Sequence, residues 1–244
     1  MTNQTLNQLD ELRLPAMIEE FRRQMELPAM SGLTFEERFA MMVEAEWRTR
    51  HDAKITRLLK EARLRCPSAC LENIDFAAER NLDRALVARL SDMSWLADNR
   101  NLFITGPCGV GKTWIASAFG NAACRLGKRV VSHRVSRLLD HLRVARTNGS
   151  WVKMLASLKK SDLLILDDFG LDRLDAIHCR DLLEIVDDRY DSGSILITAQ
   201  LPVADWHGVF EDATLADATL DRLVHNSYRI ELRGPSRRPV IAAQ

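Results

Sequence analysis

The chain has 244 residues, 46% of them apolar, with 34 basic residues against 34 acidic ones. That is enough for one generous core, or a core with a small appended unit. The composition is not that of a disordered chain, and a net charge of zero names no partner by itself. Apolar runs such as 163–166 are too short to span a bilayer, the start at Thr2, Asn3 and Gln4 lacks a basic-then-apolar leader, and five cysteines make no disulfide framework, so a cytoplasmic protein with reduced thiols is expected.

The first seventy or so residues read as helical. Leu14, Met17, Ile18, Phe21 and Met25 recur at helical spacing. Leu27-Pro28 stops that helix and Ser31-Gly32 makes the turn. Thr34-Phe35-Glu36-Glu37 matches a capping box, and Phe35, Phe39, Met42 and Val43 continue a second apolar face. This helix is predicted to run to about Arg65. From Arg48 to Arg65 it carries seven basic residues against two acidic ones, although residues 1–70 as a whole balance at 11 each. Cys66-Pro67 closes the helical unit and residues 71–76 form a linker. From about Asn81 strands alternate with helices. Strands are predicted at 102–105, 129–133, 163–166, 195–198 and 228–232, which implies right-handed crossovers and an α/β fold with a parallel sheet covered on both faces. No internal repeat is present.

The strongest motif is Gly106-Pro107-Cys108-Gly109-Val110-Gly111-Lys112-Thr113, a full G-x-x-x-x-G-K-[ST] with a strand before it and a helix, opened by Trp114, after it. The glycines let successive backbone N–H groups face phosphate oxygens, and the helix N-terminus adds partial positive charge. Lys112 is expected to reach the β- and γ-phosphates of ATP, and the Thr113 hydroxyl to ligate Mg²⁺. The second motif, 163–168, is a buried strand ending in Asp167 and Asp168. Asp167 suits the Mg²⁺ shell and Asp168 suits orienting or deprotonating the attacking water. Asp168-Phe169-Gly170 resembles a kinase triplet, but the other kinase motifs are absent.

Thr198 and Gln200 end the fourth strand with polar groups suited to the γ-phosphate or the attacking water. Arg222, on a late helix, is placed either to serve a neighbour's nucleotide or to lie on the surface paired with Asp217 or Asp221. Arg50, Lys54 and Arg57 share one helical face, and Arg137, Arg143 and Arg146 form a second basic stretch with Arg134. Contacts from either stretch to DNA phosphates would carry no sequence information. Trp47, Trp95 and Trp206 read as packing anchors, while Trp151 beside Lys153 is a candidate for base stacking. Cys66 and Cys70 lack a second ligand pair, so zinc is not expected. The six histidines are scattered and none is assigned a catalytic role.

With these motifs the chain resembles the AAA+ ATPases of the helicase-loader group. Arg-Leu-Pro-Ala at 13–16, Ile-Thr-Ala-Gln-Leu-Pro-Val at 197–203 with Trp206, and Asp-Arg-Leu-Val-His-Asn at 221–226 are similar to IstB-like proteins, the ATP-binding helpers of insertion-sequence transposition. The resemblance implies an AAA+ core at 71–244 after a helical DNA- and partner-binding domain at 1–70. It implies binding of ATP, of DNA with little sequence preference and of a cognate transposase, with homo-oligomers assembling on DNA as rings or helices. It also implies that Arg222 acts in trans, that Gln200 with Thr198 occupies the sensor position, and that Arg238, or Arg237 in the other register, senses nucleotide in cis. Asp168 stands where most AAA+ proteins carry Glu, and its shorter arm predicts slower hydrolysis. The chain ends soon after the last motif, so no full helical lid domain is expected. The rival readings are a DnaC-type replicative helicase loader, a P-loop kinase for a small metabolite, and a scaffold that holds ATP without hydrolysing it.

Overall fold

A computed structural model describes residues 2–76 and 80–237. The chain packs as two compact units, Met1–Arg57 and Leu58–Gln244.

The first unit contains α1 (Thr2–Glu11), α2 (Pro15–Glu26) and most of α3 (Phe35–Ala62). Pro15 opens α2, where its missing N–H costs nothing, but no residue of its own caps that end. Glu46 of α3 does so, accepting from the amides of Ala16 at 2.9 Å and Met17 at 3.3 Å. Burial alone would raise the Glu46 carboxyl; the Arg50 hydrogen bond and the two amides outweigh it and hold the group below the usual carboxylate range. The predicted capping box closes in both directions: the Thr34 amide donates to Glu37 at 2.8 Å and the Glu37 amide donates to the Thr34 hydroxyl at 3.2 Å. The α3 helix ends at Ala62, short of Arg65, because Arg63 turns left-handed at φ 51°. Trp47 is not a packing anchor: it is 61% exposed and stacks on His51, in line with exposed Phe35, Phe39 and Val43. Met25 also faces solvent. Glu46 and Gln24, which donates to the Arg38 carbonyl, supply polar contacts inside this unit alongside buried Ile18, so its aromatic stripe is left outside.

The second unit is built on strands β1 (Asn101–Thr105), β2 (Val130–Arg134), β3 (Leu163–Phe169), β4 (Ser194–Ala199) and β5 (Ser227–Glu231). They form one parallel sheet in the order β2-β3-β4-β1-β5. All five lie where the sequence predicts them, within a few residues. Leu102, Ile104, Ile165 and Leu196 face one core with Ile115 and Phe119 of α6 (Lys112–Arg125). Phe103, Leu164, Leu166 and Ile197 face the other, which holds α7 (Val135–Thr147), α8 (Trp151–Lys159), α9 (Ala176–Arg189) and α10 (Ala213–Val224). The short helices α4 (Arg84–Leu90) and α5 (Ser94–Ala97) precede β1. Trp95 and Trp206 are fully buried anchors. Leu58, Ala62 and Leu64 join the first of these cores, so residues 58–70, read from sequence as part of the helical unit, pack with the sheet. Arg189, 2% exposed, donates to the carbonyls of Leu158, Ser161 and Ser194 and ties the edge of this unit together. Burial lowers its pKa to about 10.

Candidate nucleotide site

Strand β1 enters the phosphate loop and α6 leaves it. Gly106 (φ 143°) and Gly109 (φ 84°) adopt conformations that favour glycine, and neither has room for a side chain. A Cβ on Gly106 would collide with the Leu232 carbonyl oxygen, and one on Gly109 with the Ser236 hydroxyl. The loop borders a cleft of about 730 Å³ that Cys108, Gly109, Gly111, Lys112, Thr113, Trp114, Asp168 and Gln200 help to line. Lys112 is nearly buried, and its ammonium donates to the carbonyls of Gly106 and Pro107, each at 2.8 Å.

The two carboxylates lie inside β3, not at its end as the sequence suggests. The ladder to β4 shifts between Leu166 and Phe169, which lets the strand continue to Phe169. Asp168 takes up the irregularity at φ 62° and its amide donates to the Thr198 hydroxyl at 3.0 Å. Asp167 is 1% exposed. Its Oδ1 accepts from Thr113 at 2.9 Å and from Thr198 at 2.6 Å. Its Oδ2 accepts from Arg65 Nη1 at 2.6 Å, and the same nitrogen lies 3.0 Å from Asp168 Oδ2. Arg134 Nε is 3.3 Å from that Asp168 oxygen. The hydrogen bond to Asp167 holds the Arg65 guanidinium above its ordinary pKa, against the opposing effect of burial.

Thr113 donates its proton to Asp167, so its lone pairs remain available to a cation. A hydroxyl and a carboxylate are hard oxygen ligands of the kind Mg²⁺ takes together with water and nucleotide phosphates. No cluster of three or more His, Cys, Asp or Glu suited to a metal occurs among the described residues. Thr113 and Asp167 together supply two of the oxygen ligands such a cation would take.

Two further arginines line the cleft: Arg80, which belongs to no motif, and Arg237. Arg80, 7% exposed, donates to the Asp75 carbonyl at 2.7 Å and the Val110 carbonyl at 2.8 Å, bracing the loop from behind. Burial, then the nearby Arg237, lower its pKa. The Arg237 amide donates to the Gly109 carbonyl at 2.9 Å and its guanidinium pairs with Asp75. Arg238 lies outside the described residues.

Arg222 does not line the cleft. Its guanidinium pairs with Asp187 of α9 and donates to the Ala218 carbonyl at 2.8 Å, so Asp217 and Asp221 are not its partners. Thr198 rather than Gln200 touches Asp167; Gln200 is exposed at the cleft.

The expected DNA-facing arginines are largely engaged in ion pairs. Arg50 pairs with Glu46 and donates to the Arg13 carbonyl. Arg143 pairs with Asp175 and Arg146 with the fully buried Asp181. Trp151 is not free to stack on a base, because Arg146 lies over its ring at 4.2 Å and its indole N–H donates to Asp181 at 3.1 Å. Lys54 and Arg137 are exposed; Arg57 is exposed too but has an interaction of its own. Arg146→Ala is accordingly expected to destabilise the fold by about 2 kcal/mol, since it leaves a buried carboxylate without its cation. Denaturant unfolding checks this, and an unchanged midpoint would mean that the pair contributes nothing.

Cys108 is exposed in the loop, Cys66 and Cys70 are half-buried, and Cys124 and Cys179 are buried. Burial pushes the Cys124 thiol up to about 11. Cys108 should alkylate first, with Mg-ATP protecting it; mass mapping that found another cysteine first, or no protection, would contradict this.

Three comparisons bear on this site. Residues 7–241 match the model of the IstB-like ATP binding protein family. The chain is 42% identical to an insertion sequence ATP-binding protein of Sinorhizobium fredii, over 98% of this chain and 97% of that one. It is 45% identical to the IS1162 ATP-binding protein of Pseudomonas fluorescens, over 83% and 87%. Its fold resembles the crystal structure of DnaI at a TM-score of 0.59 and 20% identity, over 75% of this chain and 93% of that one. That likeness speaks to the AAA+ fold alone.

Proposed function

The chain belongs to the IstB-like ATP-binding protein family, and from that premise we propose that it hydrolyses ATP to ADP and phosphate, couples this to assembly on DNA, and assists a cognate transposase in choosing target DNA for an insertion sequence. The observation that carries the ATPase reading is the convergence of Lys112, Thr113 and Asp168 on one cleft with the backbone of the phosphate loop, and the hydrogen bond that ties Asp167 to Thr113.

In this reading Lys112 leaves the carbonyls of Gly106 and Pro107 for the β- and γ-phosphates. Thr113 and Asp167 hold Mg²⁺, which when bound neutralises charge building on the phosphates. Asp168 orients the attacking water and accepts its proton. The Thr198 hydroxyl binds both the Asp167 carboxylate and the Asp168 amide, so it keeps the two acids in register. Gln200 reaches the γ-phosphate from the rim. Arg237 or Arg238 reads the nucleotide in cis.

Arg222 is separate from its own cleft, which supports a role at a neighbour's. A residue supplied across a head-to-tail interface makes rings or helical filaments, and ATP then links to assembly by mass action. Lys54 and Arg137 are exposed cations suited to DNA phosphates, and the helical segment of residues 1–70 is the partner-facing part of the chain.

Sizing the protein with and without ATP and duplex DNA tests this reading. Wild type should grow in mass only with both present. Arg222→Ala should bind ATP, stay small and turn over roughly a thousandfold more slowly. A wild type that never changes size would end the assembly reading. Normal assembly by Arg222→Ala would leave that arginine as a surface partner of Asp187.

A further inference from the structure

Asp167 has two oxygens, and the structure uses them differently. Oδ1 accepts from Thr113 and Thr198, which fills both of its lone pairs. Oδ2 is the oxygen left through which this carboxylate can reach a metal or its water shell, and Arg65 Nη1 occupies it at 2.6 Å. The same nitrogen holds Asp168 Oδ2 at 3.0 Å, so one guanidinium bridges both acids. Arg65 is itself half-exposed, whereas the Asp167 carboxylate is 2% exposed. A solvent-reachable cation therefore covers a buried anion that has no other charged partner among the described residues. Arg65 belongs to no nucleotide-binding motif. It follows α3 by three residues, on the segment whose Leu64 packs into the core beside α6.

We infer that Arg65 is an internal counter-cation that holds the metal position closed while the site is empty, and that a divalent cation binds only by displacing it. This deepens the nucleotide reading and rests on it. The physical reason is charge. Arg65 bridges both acids and Arg134 adds a second guanidinium at Asp168, so a divalent ion entering with both in place meets two like charges and an Asp167 Oδ2 already held by Arg65. Nucleotide phosphates supply the missing negative charge, and once the metal takes Asp167 Oδ2 they offer the released guanidinium a new anion. The metal then enters together with a nucleotide in preference to entering alone.

The test reads metal binding without turnover. Full-length wild type and Arg65→Gln are freed of nucleotide and titrated with MnCl₂ alone, with free Mn²⁺ followed by its EPR signal. Arg65→Gln should bind Mn²⁺ about tenfold more tightly, a modest coupling between two cations competing for one site. Adding Asp167→Asn to Arg65→Gln should abolish that gain. Should Arg65→Gln not fold, Arg65→Met, which keeps a long stem without charge, takes its place. ADP binding in EDTA is the control. If wild type does not bind ADP, the nucleotide reading itself fails. If both proteins bind ADP and their Mn²⁺ affinities are equal, Arg65 is no gate and this inference alone falls. A gain that survives Asp167→Asn puts the metal elsewhere and also overturns it.

Discussion

Lys112→Ala is expected to weaken ATP binding by roughly a hundredfold or more, about 3 kcal/mol, while leaving the fold intact. The ammonium is nearly buried at the mouth of α6 and donates to two loop carbonyls. Those carbonyls border the cleft and can turn to water, so losing the lysine costs the fold little. The nucleotide has no substitute for it: the backbone N–H groups of the loop give hydrogen bonds to the phosphates but no full charge. Calorimetric titration with ATP, beside a thermal melt, separates the two effects. Wild-type affinity in a folded variant would remove the phosphate loop from the mechanism.

Asp168→Asn is expected to keep ATP binding and slow turnover by roughly two to four orders of magnitude, the usual worth of a positioned general base. The substitution isolates the chemistry well. Asparagine accepts the left-handed conformation that Asp168 adopts at φ 62°, so the irregularity in β3 and the amide bond to Thr198 should survive. Asp167, the residue bonded to Thr113, is untouched. Single-turnover measurement of phosphate release checks this, and assemblies on DNA should persist longer as hydrolysis slows. Equal rates in variant and wild type would move the catalytic role to another group.

Both predictions rest on positions visible in the sequence, because the phosphate loop is a local object. Its geometry depends on glycines a few residues apart and on the strand and helix that flank them, all contained in one short stretch. The five strands were legible for a related reason: strands buried on both faces are continuous apolar runs, and those runs interrupt helical periodicity plainly. The capping box at Thr34 and Glu37 is equally local, and it closes as its spacing requires.

What the sequence could not show shares the opposite cause. Arg143, Arg146 and Trp151 look like a basic, aromatic stretch suited to DNA, but their partners Asp175 and Asp181 are about thirty residues away on another segment. Trp47 looks like an anchor by its type, yet it lies exposed on the helix, stacked on His51. Residue type and spacing cannot report an ion pair formed across the fold.

By itself the sequence determined the strand–loop–helix of the phosphate site, the pair of acids on β3 and the alternation that makes the sheet parallel, since each is written in contiguous residues. Only the tertiary structure decided which charges meet. It brought Arg65 to Asp167 across 102 positions of chain, Thr198 to the same carboxylate across 31, and Arg80 to the back of the loop across 30. The local pattern of a residue states what it can bond, while the partner it does bond is set by how helices and strands close around a common core. For a buried carboxylate that choice of partner decides whether a cation can reach it.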